Sequence, residues 1–317
     1  REKATSNICT AQALLANIAG FYAVYHGPGG LRGIAERVHG LTRALAEGLT
    51  ALGLECEHQD FFDTLSLRLP MGMRDRLRDL AVEAGLLFRY VDEVRLGISL
   101  DETTTMSDVD EILSVAAGAM ERKTPTVDFD SVESSPTWPA SLVRQSEFLT
   151  HPVFHRYRSE TEMMRYLKRL ERRDIGLDTS MIPLGSCTMK LTAASAIRPV
   201  SWPEYANLHP FTPRALAGGY QEVFDEFEAS LCAITGLPAV SLQPNSGAQG
   251  EFAGLMVIRA YQRDQDQARR DVVLIPASAH GTNPASAAMA GMRVVIVKCD
   301  DDGNIDLGDL RSKAEVH

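Results

Sequence analysis

The sequence has few features that would link it to a membrane, to nucleic acid or to a metal. Its five cysteines are widely spaced among 317 residues, without a C-x-x-C pair or zinc-ligand spacing. Free thiols in a reducing compartment are therefore expected. No apolar run reaches transmembrane length. A net charge of −10 disfavours general binding to nucleic acid or anionic membranes.

No signal or transit peptide is visible, and the chain starts at Arg1 and ends at His317 inside a predicted helix. We therefore expect a fragment of a longer protein. Its compartment is predicted to be the bacterial cytoplasm, with the mitochondrial matrix as the alternative for a eukaryotic source. The dinucleotide pattern G-x-G-x-x-G and the P-loop pattern G-x-x-x-x-G-K-[ST] are both absent.

The first part of the chain predicts a small α+β domain over residues 1–122. Periodic apolar residues indicate two helices with a glycine-rich turn between them at residues 27–30. Ser107 is the predicted N-cap of a later helix, with Asp110 at its third position. The predicted helices are 8–25, 31–51, 74–84 and 108–120, and the predicted strands are 65–69, 86–91 and 95–100.

Prolines and serines over residues 123–147 predict a linker. Ser159 and Glu162 then form a predicted capping box for a helix that ends near Arg172. The irregular stretch that follows, residues 175–213, is long enough to suggest a functional loop.

From residue 219 onward, helices and strands alternate, which predicts a parallel sheet covered by helices. In such sheets, ligands bind beyond the carboxyl ends of the strands. The predicted helices are 219–235, 247–262, 283–290 and one from about 306, and the predicted strands are 239–243, 272–276 and 293–299.

Two polar segments follow strands of this predicted sheet. Residues 246–249 open a helix with small side chains, so the free amides of its first turn form a candidate phosphate cradle. The alternative is a turn that is small only because it is tight. His280 could stack on a flat heteroaromatic ring or exchange a proton, or it could simply be solvated. Together the segments suggest a phosphorylated aromatic cofactor, and pyridoxal phosphate fits better than a dinucleotide.

Long sequence blocks resemble the glycine decarboxylase family, the pyridoxal-phosphate subunits of glycine cleavage systems. The blocks are REKATSNICTAQALLAN from Arg1, FLTHPVFHRYRSE from Phe148, SMIPLGSCTMKL from Ser180, QPNSGAQGEFAGL from Gln243 and SAHGTNPASAAMAGM from Ser278. The resemblance implies an α/β protein with an incomplete PLP-dependent transferase (aspartate-aminotransferase-like) fold. Residues 1–122 would be the small C-terminal α+β domain of a first half. Residues 148–317 would be an arm and the N-terminal part of the mainly parallel large domain of a second half.

The resemblance also implies roles for individual residues. It assigns Ser246, Gly247 and Ala248 to the cofactor phosphate. It assigns His280 to the pyridine ring as the catalytic residue, and Thr282 to the ring or the substrate carboxylate. An active-site loop would contribute Ser186, Cys187, Thr188, Lys190 and His209.

The implied reaction is decarboxylation of glycine, with transfer of the aminomethyl group to the lipoyl arm of the H-protein. The full-length protein would be a homodimer. The Schiff-base lysine of the family is expected to lie outside this chain, since only Lys298 and Lys313 follow His280. Alternatives are a non-catalytic interaction module that keeps the fold, and another pyridoxal-phosphate decarboxylase or aldolase.

Overall fold

A computed structural model describes residues 12–128, 141–173, 175, 176, 179, 181 and 192–317. Clustering of the contacts divides the chain into two compact units. One comprises residues 19–174, and the other comprises residues 175–317 with the start of the chain. The domain boundaries predicted at 122 and 148 stay a prediction.

The first helix, α1, spans Gln12–Ala51 and contains a kink. Gly27 has φ 56° and ψ −174°, which lies outside the helical region, and Pro28 follows it. Proline suits the first turn of a helix because the missing N–H has no intrahelical acceptor there. The predicted interruption between two helices is therefore confirmed, as a kink at one glycine.

A four-stranded antiparallel sheet covers one side of the core of the 19–174 unit. The strands are β1 (Glu55–Cys56), β2 (Thr64–Arg68), β3 (Arg89–Tyr90) and β4 (Arg95–Ser99), in the order β1-β2-β4-β3. Leu65 pairs with Ile98 and Leu67 with Leu96, so the buried side chains of β2 and β4 share one face. Two helices, α2 (Arg74–Glu83) and α3 (Met106–Ala119), complete the layer pattern of this unit.

The core of this unit is made mainly of leucines. Leu45 and Leu49 of α1, Leu67 of β2 and Leu113 of α3 are fully buried in one cluster. The α+β character predicted for the first part of the chain is thus confirmed in its elements.

The N-cap of α3 differs from the prediction. Thr105, rather than Ser107, caps the helix, and Asp108, rather than Asp110, is its N3 partner. The Thr105 hydroxyl accepts from the Asp108 N–H, and the Asp108 carboxylate accepts from the Thr105 N–H at 2.6 Å. The predicted cap was wrong by two residues because T-x-x-D and S-x-x-D patterns overlap here, and only Thr105 has the extended backbone of a cap.

The helix α4 spans Glu160–Glu171, after a 3-10 turn at Pro152–His155. Ser159 caps it and accepts from the N–H of Glu162, so this predicted cap is confirmed. Residues 123–128 and 141–151 lack helix or strand. The linker predicted over residues 123–147 stays a prediction.

In its described residues, the 175–317 unit contains two parallel strands and four longer helices. β5 (Val272–Pro276) and β6 (Arg293–Val297) pair in parallel, with Val273 opposite Val294. The helices are α5 (Gly218–Thr235), α6 (Gly247–Asp264), α7 (Thr282–Met289) and α8 (Leu307–Val316).

The predicted strand at residues 239–243 is not formed. This segment joins no hydrogen-bonded ladder with β5 or β6, and an extended segment is a strand only when a neighbour pairs with it. The chain is therefore mixed α/β as predicted, with a parallel pair of strands in its later part. Among the described residues, no helix combines the length and apolarity needed to cross a membrane.

Candidate functional site

The turn before α6 presents backbone N–H groups at the start of a helix. Ser246 is the N-cap, and its hydroxyl accepts from the Gln249 N–H at 3.3 Å. The Gln249 side chain in turn accepts from the Asn245 N–H at 3.0 Å. The N–H groups of Gly247 and Ala248 have no acceptor one turn earlier in the helix, as at every helix start. These two amides are the part of the predicted cradle that an anion could use.

The surroundings of these amides suit an anionic group. Gly247 is exposed and has no side chain to block an approach, whereas Ala248 is buried at 8% exposure. The positive end of the helix dipole adds to the attraction. The Ser246 hydroxyl acts here as a helix cap, so its predicted contact with a phosphate stays a prediction.

His280 lies in the turn after β5 and is exposed. Its Nδ1 accepts from the Thr282 N–H at 3.2 Å, so the neutral ring carries its proton on Nε2. Its carbonyl oxygen accepts from the Asn283 N–H at 3.0 Å. The ring is thus held by its own turn, in an exposed residue. Thr282, the first residue of α7, is only 4% exposed.

A side-chain hydrogen bond joins the two predicted segments. The Asn283 amide, in the first turn of α7, donates to the carboxylate of Glu251, one turn into α6. Phe252 and Leu255 of α6 pack on the same small core as Ala279. The start of α6 and the His280 turn are therefore brought together. Only the His280 turn follows a strand, β5, because the strand predicted before α6 is not formed.

Sequence reasoning did not single out Glu251 or Asn283 as a connecting pair. Asn283 stood at the start of the predicted helix 283–290, and Glu251 lay inside the predicted helix 247–262. No local pattern reports a contact between residues 32 positions apart. The signal that existed was an acidic residue among small ones at a helix start.

These residues fit a phosphorylated aromatic ring in two respects: free helix-start amides for the phosphate and an exposed imidazole for the ring. The cofactor also requires a lysine for its Schiff base. Neither of the two lysines that follow His280, Lys298 and Lys313, meets this requirement. Lys313 donates to the Ile296 carbonyl and to the Asp309 carboxylate, both at 2.6 Å. Lys298 lies just after β6 and is exposed.

The remaining predicted site residues are less informative. Ser186, Cys187, Thr188 and Lys190 lie outside the described residues. His209 is exposed, and its Nδ1 accepts from the Phe211 N–H at 3.0 Å. His209 follows Leu208, which lines a cavity of about 700 Å³ that the sequence did not predict. The cavity is lined by Trp202, Pro203, Glu204, Tyr205, Leu208, Leu216, Ala217, Gly219 and Tyr220.

Metal binding and disulfides have no support in the part of the chain that the structure describes. No group of three or more His, Cys, Asp or Glu side chains there is arranged to hold a metal ion. Cys56, Cys232 and Cys299 are free thiols. Cys299 donates to the Ser278 hydroxyl at 3.3 Å, next to the His280 turn.

Comparison with known proteins shows which proteins this chain resembles. Residues 1–116 match the model of the glycine cleavage system P-protein family. The whole chain is 54% identical to a glycine dehydrogenase (decarboxylating) of Cupriavidus metallidurans, of which it covers 32%. It is also 56% identical to glycine dehydrogenase (decarboxylating) 2 of Pseudomonas putida, of which it covers 33%. A glycine dehydrogenase (decarboxylating) of Stutzerimonas stutzeri is 55% identical over 99% of this chain. The chain is thus similar over its whole length to glycine dehydrogenases (decarboxylating), and it spans about a third of the length of the curated relatives it matches.

Proposed function

We propose that this chain carries the phosphate- and ring-binding part of a pyridoxal-phosphate-dependent glycine decarboxylase. The observation that supports it is the Asn283–Glu251 hydrogen bond, which holds the His280 turn beside the first-turn amides that open α6. The sequence identity of 54–56% to glycine dehydrogenases (decarboxylating) extends over the whole chain, including these residues. The proposal includes an aspartate-aminotransferase-like fold for the full-length protein.

Pyridoxal phosphate would supply an electron sink for the bond to the departing carboxylate. The chain's own residues would bind and orient the cofactor. The N–H groups of Gly247 and Ala248 would donate to phosphate oxygens, and the α6 dipole would favour the dianion. His280 would cover one face of the ring, with its Nδ1 kept as an acceptor by the Thr282 N–H.

In the full-length protein, the proposed reaction is glycine decarboxylation with transfer of the aminomethyl group to the lipoyl arm of an H-protein. The proposed assembly is a homodimer. The loop residues Ser186, Cys187, Thr188 and Lys190, together with His209, would contact substrate or cofactor. We further propose that this chain alone does not turn over glycine, because neither Lys298 nor Lys313 has the position of a cofactor-binding lysine.

Cofactor affinity tests the cradle with a matched pair of glycine variants. Gly247→Asp places a carboxylate in the first turn of α6, which favours the helix but repels a phosphate. We expect pyridoxal phosphate to bind at least about tenfold more weakly, which corresponds to about 1.4 kcal/mol. Gly254→Asp makes the same change at an exposed glycine of α6 with open space around it, and should leave the affinity unchanged. Equal affinity for Gly247→Asp and wild type, measured by fluorescence titration, would refute the cradle.

Release of labelled carbon dioxide from glycine by the full-length protein distinguishes the proposed reaction from its alternative. A simple decarboxylase protonates the carbon that loses the carboxylate and needs no carrier. The proposed enzyme should require lipoylated H-protein for product formation. Equal turnover without the carrier would instead favour another pyridoxal-phosphate decarboxylase.

A further inference from the structure

A second cavity, in the 19–174 unit, is unusually rich in positive charge. It measures about 260 Å³ and lies between the turn at Pro152–His155 and α4. Its walls contain three arginines and no carboxylate, although the chain as a whole has a net charge of −10. The lining residues are His151, Pro152, Val153, Arg156, Tyr157, Tyr166, Arg169, Leu170 and Arg173.

Among the residues that the structure describes, no acidic side chain neutralises the three guanidinium groups. Arg156, Arg169 and Arg173 form no ion pair with any carboxylate in the described part of the chain, whereas Lys168 on the same helix pairs with Glu171 at 2.8 Å. Like charges held around one small cavity repel each other. An anion bound between the three arginines would replace this repulsion with an electrostatic attraction.

Two tyrosine rings position two of the three arginines, Arg156 and Arg169, without consuming most of their N–H donors. Tyr157, only 8% exposed, stacks on Tyr166 at 4.1 Å with an interplanar angle of 11°. The guanidinium carbon of Arg169 lies 5.4 Å and 5.2 Å from the two ring centroids, and that of Arg156 lies 5.7 Å from the Tyr157 centroid. Arg169 also donates to the Tyr157 hydroxyl. Cation–π contacts use the guanidinium charge and leave its N–H edge for hydrogen bonds.

His151 supplies a further donor on the wall. Its Nδ1 accepts from the Val153 N–H at 3.2 Å, which leaves the proton of the neutral ring on Nε2. The cavity is therefore surrounded by N–H donors on three arginines and one histidine.

The negative end of the α4 dipole explains only part of this charge. Basic residues are favoured in the last turn of a helix, which suits Arg169 and Arg173. Arg156 belongs to the preceding turn and not to the helix, so the dipole does not account for its convergence with the other two.

We propose that this cavity binds a phosphate-class oxyanion. Guanidinium groups are the preferred partners of phosphate because their paired N–H groups match two of its oxygens. A volume of about 260 Å³ accommodates a tetrahedral ion with a few waters or a small ester group, at about 30 Å³ for each water, and excludes a dinucleotide. The occupant is either free phosphate or the phosphate of a small monoester.

Calorimetric titration with inorganic phosphate tests the site at constant ionic strength, with chloride as the balancing anion. The measurement uses the Gly247→Asp protein, so that the separate cradle on α6 does not contribute. Arg156→Gln and Arg173→Gln should each weaken phosphate binding at least about tenfold, as expected for removal of a charge-assisted donor pair. Arg165→Gln removes the same charge from an exposed position of α4 outside the cavity, and should change the affinity less than about twofold.

Two further arms complete the test. Arg173→Lys keeps the charge but loses the paired N–H geometry, and should recover only part of the affinity. O-phosphoserine replaces phosphate in a parallel titration, and the tighter of the two ligands identifies whether the free ion or the ester is preferred. Absence of phosphate binding by the Gly247→Asp protein at millimolar concentration, or equal binding by this protein with and without Arg156→Gln or Arg173→Gln, would overturn the proposal. Either result leaves the pyridoxal-phosphate proposal untouched, because that proposal depends on α6 and not on α4.

Discussion

At the scale of single residues, Gly27 is held in place by an arginine from far along the chain. Arg158 donates to the His26 carbonyl at 2.6 Å and to the Phe154 carbonyl at 2.7 Å. A Cβ built on Gly27 would lie 2.1 Å from an Arg158 nitrogen and 2.3 Å from the Phe154 oxygen. The second contact is to backbone, which cannot move as a side chain can. Both the unusual φ, ψ and the close approach therefore require glycine.

Gly27→Ala should destabilise the 19–174 unit by about 3 kcal/mol, from backbone strain together with the clash against Phe154. Gly33→Ala is the matched control on the same helix, where a Cβ has open space and alanine is the better helix former. That change should add about 0.5–1 kcal/mol. Urea unfolding followed by circular dichroism measures both. A Gly27→Ala protein as stable as Gly33→Ala would show that the kink is not fixed by this glycine.

At the scale of elements, most of the predicted helix starts agree with the N-caps in the structure. Ser159, Ser246 and Asp306 all cap the helices that were predicted to begin next to them. At α3, two overlapping patterns competed, and Thr105 forms the cap. The hydrogen bonds from Thr105 to the Asp108 carboxylate hold the pKa of Asp108 below its usual value of 3.8.

Thr105→Ala should lower stability by about 1 kcal/mol, whereas Ser107→Ala, at an exposed position inside the first turn, should change it by less than about 0.3 kcal/mol. The folded pKa of Asp108 lies below its unfolded value. The cap's electrostatic contribution is therefore present above about pH 4 and is lost as the pH falls through the folded pKa. Denaturation curves at pH 7 and pH 3 measure this loss. The original prediction of a Ser107 cap would be restored if Ser107→Ala were the more damaging change.

The sequence could predict most helices, several of their caps and the strand β5 that precedes the His280 turn, because these depend on local periodicity and turn chemistry. It could not predict the hydrogen bond between Glu251 and Asn283, nor the cavity lined by Arg156 and Arg173. Those features arise from packing between segments that are distant in sequence. The prediction of a strand at residues 239–243 was wrong for the same reason. β-propensity indicates an extended segment, and only a neighbouring strand makes it part of a sheet.

At the scale of the whole molecule, the two units differ in how much they bury. The largest core cluster of described residues, with 20 buried members, lies in the 19–174 unit, and the cluster around β5 has four. The 175–317 unit also leaves large apolar side chains exposed on α5 and α6: Phe224, Phe227, Ile234, Val257, Ile258 and Tyr261. Since buried apolar area is the main source of folding free energy, the 175–317 unit should be the less stable one.

Urea unfolding of the chain should therefore show two transitions, and hydrogen exchange should assign the earlier one to α5, α6, β5 and α7. The proposed cofactor site belongs to this same unit, so pyridoxal phosphate should move only the earlier transition. A ligand at 100 times its dissociation constant adds about 2.7 kcal/mol to the stability of the unit that binds it. Gly247→Asp, with at least tenfold weaker binding, should reduce that shift to about 1.4 kcal/mol or less at the same ligand concentration, and Gly254→Asp should preserve it in full. A single transition would contradict the difference in burial, whereas a shift confined to the later transition would place the cofactor in the wrong unit and remove the basis for assigning it to α6.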